Sequence, residues 1–402
     1  MYDVIVVGAR CAGSPVAMLL ARQGARVLLV DKVSFPHDTV STHYLQPTGL
    51  ARLRDWGLLD QLAATGVTPI TTMTVSTMDT VISGFSGPIE GIDRAYAPRR
   101  TVLDTILVDA AREAGAEVRE SYSVTELIET DGRVTGIRGR SKGGALSEET
   151  APLVVGADGR NSAVGSAVGA EFTKVVPAGS FIYYSYWSGL DISFHSRFGD
   201  RQQVGAWPTN DGLTLVATMR PRPHFDEFRQ DLEGNFEKVV REVFPELAEQ
   251  MATNGRREEK FSGIRYPDNY YRRSHGPGWV LVGDAGYHKD PVTGQGITDA
   301  FGQAELLARQ ISRGLAGEIP LDEATAEYVR VRDAESGASF MLACTLGELV
   351  IPPELQALFR AVSRSELHSR RLFDMLGGGL SGEEFFAPDN VSAIFADAGQ
   401  AT

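Results

Sequence analysis

Val4-Ile5-Val6-Val7-Gly8-Ala9-Arg10-Cys11-Ala12-Gly13 is an apolar β-run that breaks into a glycine-bounded turn. Behind it, residues 13–23 carry Val16, Ala17, Leu19 and Leu20 at helical spacing, and residues 26–30 read as a second strand ending at Asp31. Strand, turn, helix and strand in this order make a β-α-β unit. The helix amides and the positive end of the helix dipole then point at whatever lies over the turn, which suits a pyrophosphate. The pattern G-x-G-x-x-G is incomplete, because Arg10 stands where the middle glycine belongs. Its side chain either turns away from a dinucleotide or lays its guanidinium over phosphate. Asp31, 23 positions after Gly8, is placed to accept hydrogen bonds from ribose hydroxyls.

Two more stretches share this texture. Leu153-Val154-Val155-Gly156-Ala157-Asp158-Gly159-Arg160-Asn161-Ser162 is a buried-looking strand ending in an Asp-Gly turn, which alone reads as an ordinary turn. Trp279-Val280-Leu281-Val282-Gly283-Asp284-Ala285 is a strand ending in a carboxylate. It is followed by Asp290-Pro291-Val292-Thr293-Gly294-Gln295-Gly296-Ile297, which opens a long helix. Gly294 and Gly296 let amides at a helix N-terminus approach an electron-rich group, such as the N1–C2 carbonyl edge of a reduced flavin.

The chain has 402 residues, 43% apolar and 23% charged, enough for two joined domains and too rich in apolar residues for disorder. Acidic residues outnumber basic ones by 52 to 39, giving a formal charge of −13, which argues against a nucleic-acid or anionic-membrane surface. No window reaches the ~20 apolar residues of a transmembrane span, and no basic run precedes an apolar leader, so a cytoplasmic protein is expected. Cys11 and Cys344 are the two cysteines, too few for a disulfide framework, a zinc site or an iron–sulfur cluster. No metal site is expected, and redox chemistry has to come from an organic cofactor.

Residues 101–114 read as a helix, and 124–128 with 134–138 as a hairpin around Asp131-Gly132. From about residue 172 to 271 aromatic β-runs take over, around one helical stretch at 235–251, and after Gly296 the pattern is helical, broken at Pro352-Pro353 and at Gly377–379. The expected architecture is α/β: a Rossmann-like domain with a parallel sheet over 1–170 and 272–340, an inserted, mainly antiparallel β-sheet substrate domain over 171–271, and a helical C-terminal segment over 341–402.

With its three glycine-bearing stretches in this order, the chain resembles the FAD-dependent monooxygenases of the single-component aromatic hydroxylase type, and their wider relatives, the geranylgeranyl-reductase-like flavoproteins. The resemblance covers roughly residues 1–310. It implies FAD as cofactor and NADH or NADPH as transient co-substrate. By the family pattern Gly8, Arg10 and Gly13 lie at the pyrophosphate, Asp31 at the adenosine ribose and Arg100 at the phosphates. Asp158 is tied to FAD and to the nicotinamide cofactor, and Asp284 to the ribityl chain. Pro291, Gly294, Gln295, Gly296 and Ile297 fall at the isoalloxazine, with Lys32 and Val124 as further cofactor contacts.

The resemblance further implies that O2 reacts with reduced flavin to a C4a-hydroperoxide, which oxygenates a small organic substrate, aromatic or polyketide-like. Gln295 matches the hydroxylases' Gly-Gln-Gly. Asp290-Pro291 and Thr293 with Gly296-Ile297 match the reductases' pattern, and Tyr287 stands where hydroxylases commonly carry histidine. A flavin-dependent reductase or dehydrogenase is therefore the alternative, and a non-catalytic flavin-binding protein a third. His43, in Ser41-Thr42-His43-Tyr44, is a candidate base for a phenolic proton or a hydrogen-bonded loop histidine. Tyr183, Tyr186 and Trp207 are candidate pocket residues on the aromatic strands, with Tyr184 between them. His288 and Lys289 are expected either to meet substrate anions or to lie in a solvated loop.

Overall fold

The computed structural model describes residues 1–77 and 79–400. Its first sheet runs His275–Gly276, Trp279–Leu281, Val154–Gly156, Val4–Val7, Val27–Val30 and Glu117–Arg119, and every neighbouring pair but the first is parallel. The alternation of side chains along a strand splits the apolar run between two cores. Val4, Val6 and Leu29 pack under the helices Gly13–Arg22, Arg100–Glu113 and Gly296–Leu315. Ile5, Val7, Leu28 and Val30 pack under a second, three-stranded sheet of Tyr122–Thr130, Arg133–Ser141 and Ser147–Thr150. The hairpin in that sheet turns where expected, with Asp131 and Gly132 both at positive φ.

Val7, Gly156 and Leu281 stand side by side in register. The three motif stretches therefore leave the sheet at one carboxyl edge, the position at which open α/β sheets bind their ligands.

The large sheet runs Arg256–Arg257, Ser180–Ser188, Thr214–Pro221, Gln202–Pro208, Phe194–Gly199, Met73–Ser76 and Val81–Gly84, with Ser262–Arg265 also paired to Ser180–Ser188. This corrects the expected boundaries 171–271: Met73–Ser76 pairs in parallel with Phe194–Gly199, so the sheet also takes chain from the N-terminal third. The expected single helix at 235–251 is two, Leu232–Val243 and Pro245–Thr253, broken where Pro245 cannot donate to the ladder. Both cover the outer face of the sheet, together with Phe225 and Phe228. A small sheet of Phe172–Val176, Asn269–Arg272 and Tyr287–His288 links the two bodies.

The helix Leu321–Gly347 crosses the expected boundary at 341. The helices Pro353–Val362, Glu366–Leu376, Gly382–Phe385 and Pro388–Gln400 follow, roofing the inner face of the large sheet through Phe359, Leu372, Phe373 and Phe385. Residues 401 and 402 of the expected C-terminal segment lie outside the described residues. Among the described residues no helix is long and apolar enough to cross a membrane.

Candidate functional site

Gly8 leaves its strand at φ +104°, and a Cβ there would stand 2.4 Å from the Ala157 carbonyl oxygen; one on Gly13 would stand 1.8 Å from the Gly8 carbonyl oxygen. Neither position admits a side chain, because backbone atoms occupy the space. Across the turn, Asp31 accepts hydrogen bonds from the amides of Ala9 (2.7 Å) and Val33 (3.0 Å). The helix Gly13–Arg22 has no side-chain cap and no acidic residue in its first turn; the Ser14 amide donates to the Arg10 carbonyl oxygen at 3.0 Å and Pro15 has no N–H, so the helix offers an external anion the Gly13 amide and the positive end of its dipole. The Asp31 carbonyl accepts the Tyr122 amide, which draws the strand carrying Val124 alongside. Lys32 is exposed and lines a polar groove there with Ser121, Ser123 and Arg140.

The two alternatives for Arg10 resolve toward its own chain. Its guanidinium donates to Asp104 (2.5 Å) and to the His37 carbonyl oxygen (3.1 Å). Arg100 donates to the same carboxylate at 3.0 Å and 2.8 Å, as does the Cys11 thiol at 3.4 Å. Asp104 is fully buried and holds both arginines behind the glycine turn. Burial, ahead of any charge effect, pushes the Cys11 thiol far up, so it is no thiolate.

Asp158 accepts from the Ser162 hydroxyl (2.5 Å) and the amides of Ala163 (2.7 Å) and Val164 (3.1 Å), capping the helix Ala163–Ala167. These three bonds engage the carboxylate inside its own loop. Arg160, quoted in the sequence motif but not singled out, makes no ion pair among the described residues, and its charge reaches Asp284.

Asp284 opens to the crevice, its side chain 46% exposed, with His288 Nδ1 at 3.5 Å. Enclosure raises its pKa, but the charges of His288, Arg160 and Arg100 outweigh that and hold it below the ordinary carboxylate value. The Tyr270 hydroxyl donates to the carbonyl oxygens of Asp284 (2.5 Å) and Arg160 (3.2 Å), stitching the second and third stretches together. Between Asp290 and Gly296 the turn is built from within. The buried Asp290 accepts from the Val292 amide and the Ser180 hydroxyl, both at 3.0 Å, and Gly294 sits at φ +65°. Gln295 turns its amide oxygen inward to accept from Lys289 (2.8 Å) and Thr293 (3.1 Å). Ile297 packs into the core.

His288 and Lys289 are 4% and 6% exposed, which corrects the solvated-loop reading made for them. Lys289 pairs with Asp299 at 2.9 Å and donates to Ser339 at 3.0 Å, because a buried ammonium persists only where acceptors surround it.

On the substrate side Trp207 lines an apolar cavity between the large sheet and the C-terminal helices, and Pro291, Val292, Thr293 and Gly294 form its edge. Tyr183 is corrected: strand alternation turns it to the outer face, against Phe225 and Phe228. Tyr186 lies on the inner face but is 2% exposed, its hydroxyl 2.5 Å from His43 Nε2 and the Arg99 guanidinium 3.9 Å above its ring. His43 has no exposed surface and a φ of +61°. Burial, then Arg100 and Arg99, hold its pKa well below 6.5. The expected base is thus a neutral, enclosed histidine bonded to Tyr186, out of reach of a ligand in this conformation.

These residues fit FAD: a side-chain-free approach over Gly8 and Gly13, an uncapped helix, an open carboxylate at Asp284 and a glycine turn at 294–296. A family model described as "FAD binding domain" matches residues 1–334. The digeranylgeranylglycerophospholipid reductase of Methanocella arvoryzae is 28% identical over 83% of this chain and 83% of its own length. Among solved structures, the flavin-dependent brominase Bmp2 superposes with a TM-score of 0.84 over all of both chains at 17% identity. PqsL of Pseudomonas aeruginosa, "a probable FAD-dependent monooxygenase", does so with 0.71 over 93% of this chain and 99% of its own at 18% identity. At such identities the structures attest the fold. Joined to the family match, the three stretches at one sheet edge make this chain a member of the FAD binding domain family, a flavoprotein.

Proposed function

We propose that the protein is an FAD-dependent monooxygenase that uses NADH or NADPH and O2 to hydroxylate or epoxidise a small organic substrate, aromatic or polyketide-like. The observation that carries this reading is the cavity, whose wall runs from Pro291–Gly294 to Trp207, Phe194 and Met219 beneath Phe359, Leu372 and Met375. Oxygen transfer needs a space closed to water, since water diverts the oxygen to hydrogen peroxide. When bound, FAD supplies the hydride acceptance and oxygen activation.

The chain's own residues bind and orient. The amides before helix Gly13–Arg22 face the pyrophosphate, Asp284 accepts from hydroxyls, and the backbone at Gly294–Gly296, at a helix N-terminus, faces negative charge developing on the ring. The C-terminal helices exclude water.

The second reading, a flavin-dependent reductase, is favoured by the reductase relatives. Reduced enzyme mixed with isotopically labelled O2 and an aromatic ligand separates the two. Label in the product is the expected outcome. Reduction of an alkene under strict anaerobiosis, with no label in any product, rejects the oxygenase.

A further inference from the structure

Among the described residues, those that line the cavity include no charged side chain. Thr42, Gln46 and Thr293 lie toward the flavin turn, and a second polar spot, Gln203 with Ser196, lies in the sheet itself. The ladder shows how unusual this spot is. Gln203 stands opposite Phe198 on one side and Met219 on the other, and Met219 in turn stands opposite Ile182. Leucine would satisfy such a row, yet an amide is 7% exposed there. One rung along, Ser196, Gly205 and Ala217 face one another as small residues, and the indole of Trp207 leans across Gly205, where a Cβ would come 2.5 Å from its Cζ3. The polar pair is therefore set between an aromatic wall and a row that leaves room.

Gln203 Nε2 donates to Ser196 Oγ at 2.7 Å, its one side-chain hydrogen bond among the described residues. Among the described residues the amide oxygen and the second N–H have no further partner, and Ser196, acting as acceptor, keeps its own proton to donate. The Gln203 oxygen keeps surface at the cavity, so the pair presents one acceptor and two donors, the second amide N–H and the Ser196 hydroxyl, to whatever fills it.

We infer that the substrate is a neutral, mainly apolar molecule carrying a hydroxyl or carbonyl group, which seats on Gln203 and Ser196 while its body extends toward Pro291–Gly294. This rests on the cavity being the substrate site, and holds whether the chemistry there is oxygenation or reduction.

The test compares two probes of nearly equal shape, 2-acetylnaphthalene and 2-ethylnaphthalene, by equilibrium dialysis against the FAD-loaded protein. The wild type should bind the ketone about 5- to 10-fold more tightly, as one hydrogen bond allows. In Gln203→Leu the ratio should fall to about one. Because the ratio is taken within one protein, a general loosening of the variant cancels. Equal affinities in the wild type, a ratio unchanged in Gln203→Leu, or no binding of either probe overturns the proposal. Gly205→Leu, which would drive the indole off the row, should weaken both probes. If it affects neither, they bind elsewhere and the cavity reading falls as well. Failure of labelled oxygen to enter a product would leave this result standing.

Discussion

Removing the Asp284 carboxylate tests the cofactor site at its most open point. Asp31 is engaged by two amides and Asp158 by two amides and a hydroxyl, whereas among the described residues the Asp284 carboxylate meets only His288 Nδ1, 3.5 Å away. Its pKa lies below the ordinary value, so it is ionised at neutral pH. A hydrogen bond from a neutral hydroxyl to a charged acceptor contributes ~1.5–3 kcal/mol. Asp284→Ala should therefore weaken FAD binding by roughly 10- to 150-fold. Asp284→Asn, which keeps an acceptor without the charge, should fall between the variant and wild type. Because the depressed pKa leaves the group charged at every pH above it, the loss should be flat from about pH 5 to 9. Titrating apoprotein with FAD and following flavin fluorescence measures the affinity, and thermal unfolding of the apoproteins checks the fold. Wild-type affinity in a folded Asp284→Ala protein would refute the placement of this carboxylate at the cofactor.

Four further outcomes follow from the geometry. Gly13→Ala sets a Cβ against a backbone oxygen that cannot withdraw, so about 3 kcal/mol or more of stability should be lost in denaturant titration, with FAD content. Lys289→Met strands Asp299 and should cost about 2–4 kcal/mol, much of it recovered in Lys289→Met/Asp299→Asn if the two act as a pair. Burial pushes the Asp290 carboxyl up to about 6, so its contribution to stability is complete below its unfolded value near pH 4 and is lost as pH rises through 6. Asp290→Asn should gain on wild type above pH 7 by up to about 3 kcal/mol and flatten the dependence of Tm on pH. Trp207→Ala should raise the peroxide released per NAD(P)H more than it slows flavin reduction, measured by oxidase-coupled assay beside stopped flow.

The nucleotide half was legible because its signals are local. Apolar runs, glycines that no side chain can replace and a carboxylate at a strand end all lie within a few residues of one another. What stayed hidden depends on distant partners. Lys289 reads as a surface lysine until Asp299 and Ser339 close over it. Period-two alternation says that Tyr183 and Tyr184 part company, but the side facing the cavity is set by the helices packed on each face. Met73–Ser76 and Val81–Gly84 are four residues each, and gain their place from partners, the first from pairing with Phe194–Gly199 and the second from pairing with Met73–Ser76. Pro245 was a visible break signal in the stretch taken as one helix. His43 gave no sign of its positive φ, which the Ser41 hydroxyl and Tyr186 impose from outside.

The strand order of the first sheet also sets a timetable. Val4–Val7 leaves the ribosome before its sheet neighbours: Val154–Gly156 follows well over a hundred residues later, and Trp279–Leu281 more than a hundred after that. At elongation rates of about 5–20 residues per second, each interval lasts on the order of ten seconds. Throughout it, the most apolar strand of the chain has an unpaired edge. The crevice at the sheet's carboxyl ends has its last wall only when residues 283–296 have emerged. Cofactor capture then waits for the third stretch, and a nascent chain arrested near residue 270 should hold no flavin however long it waits.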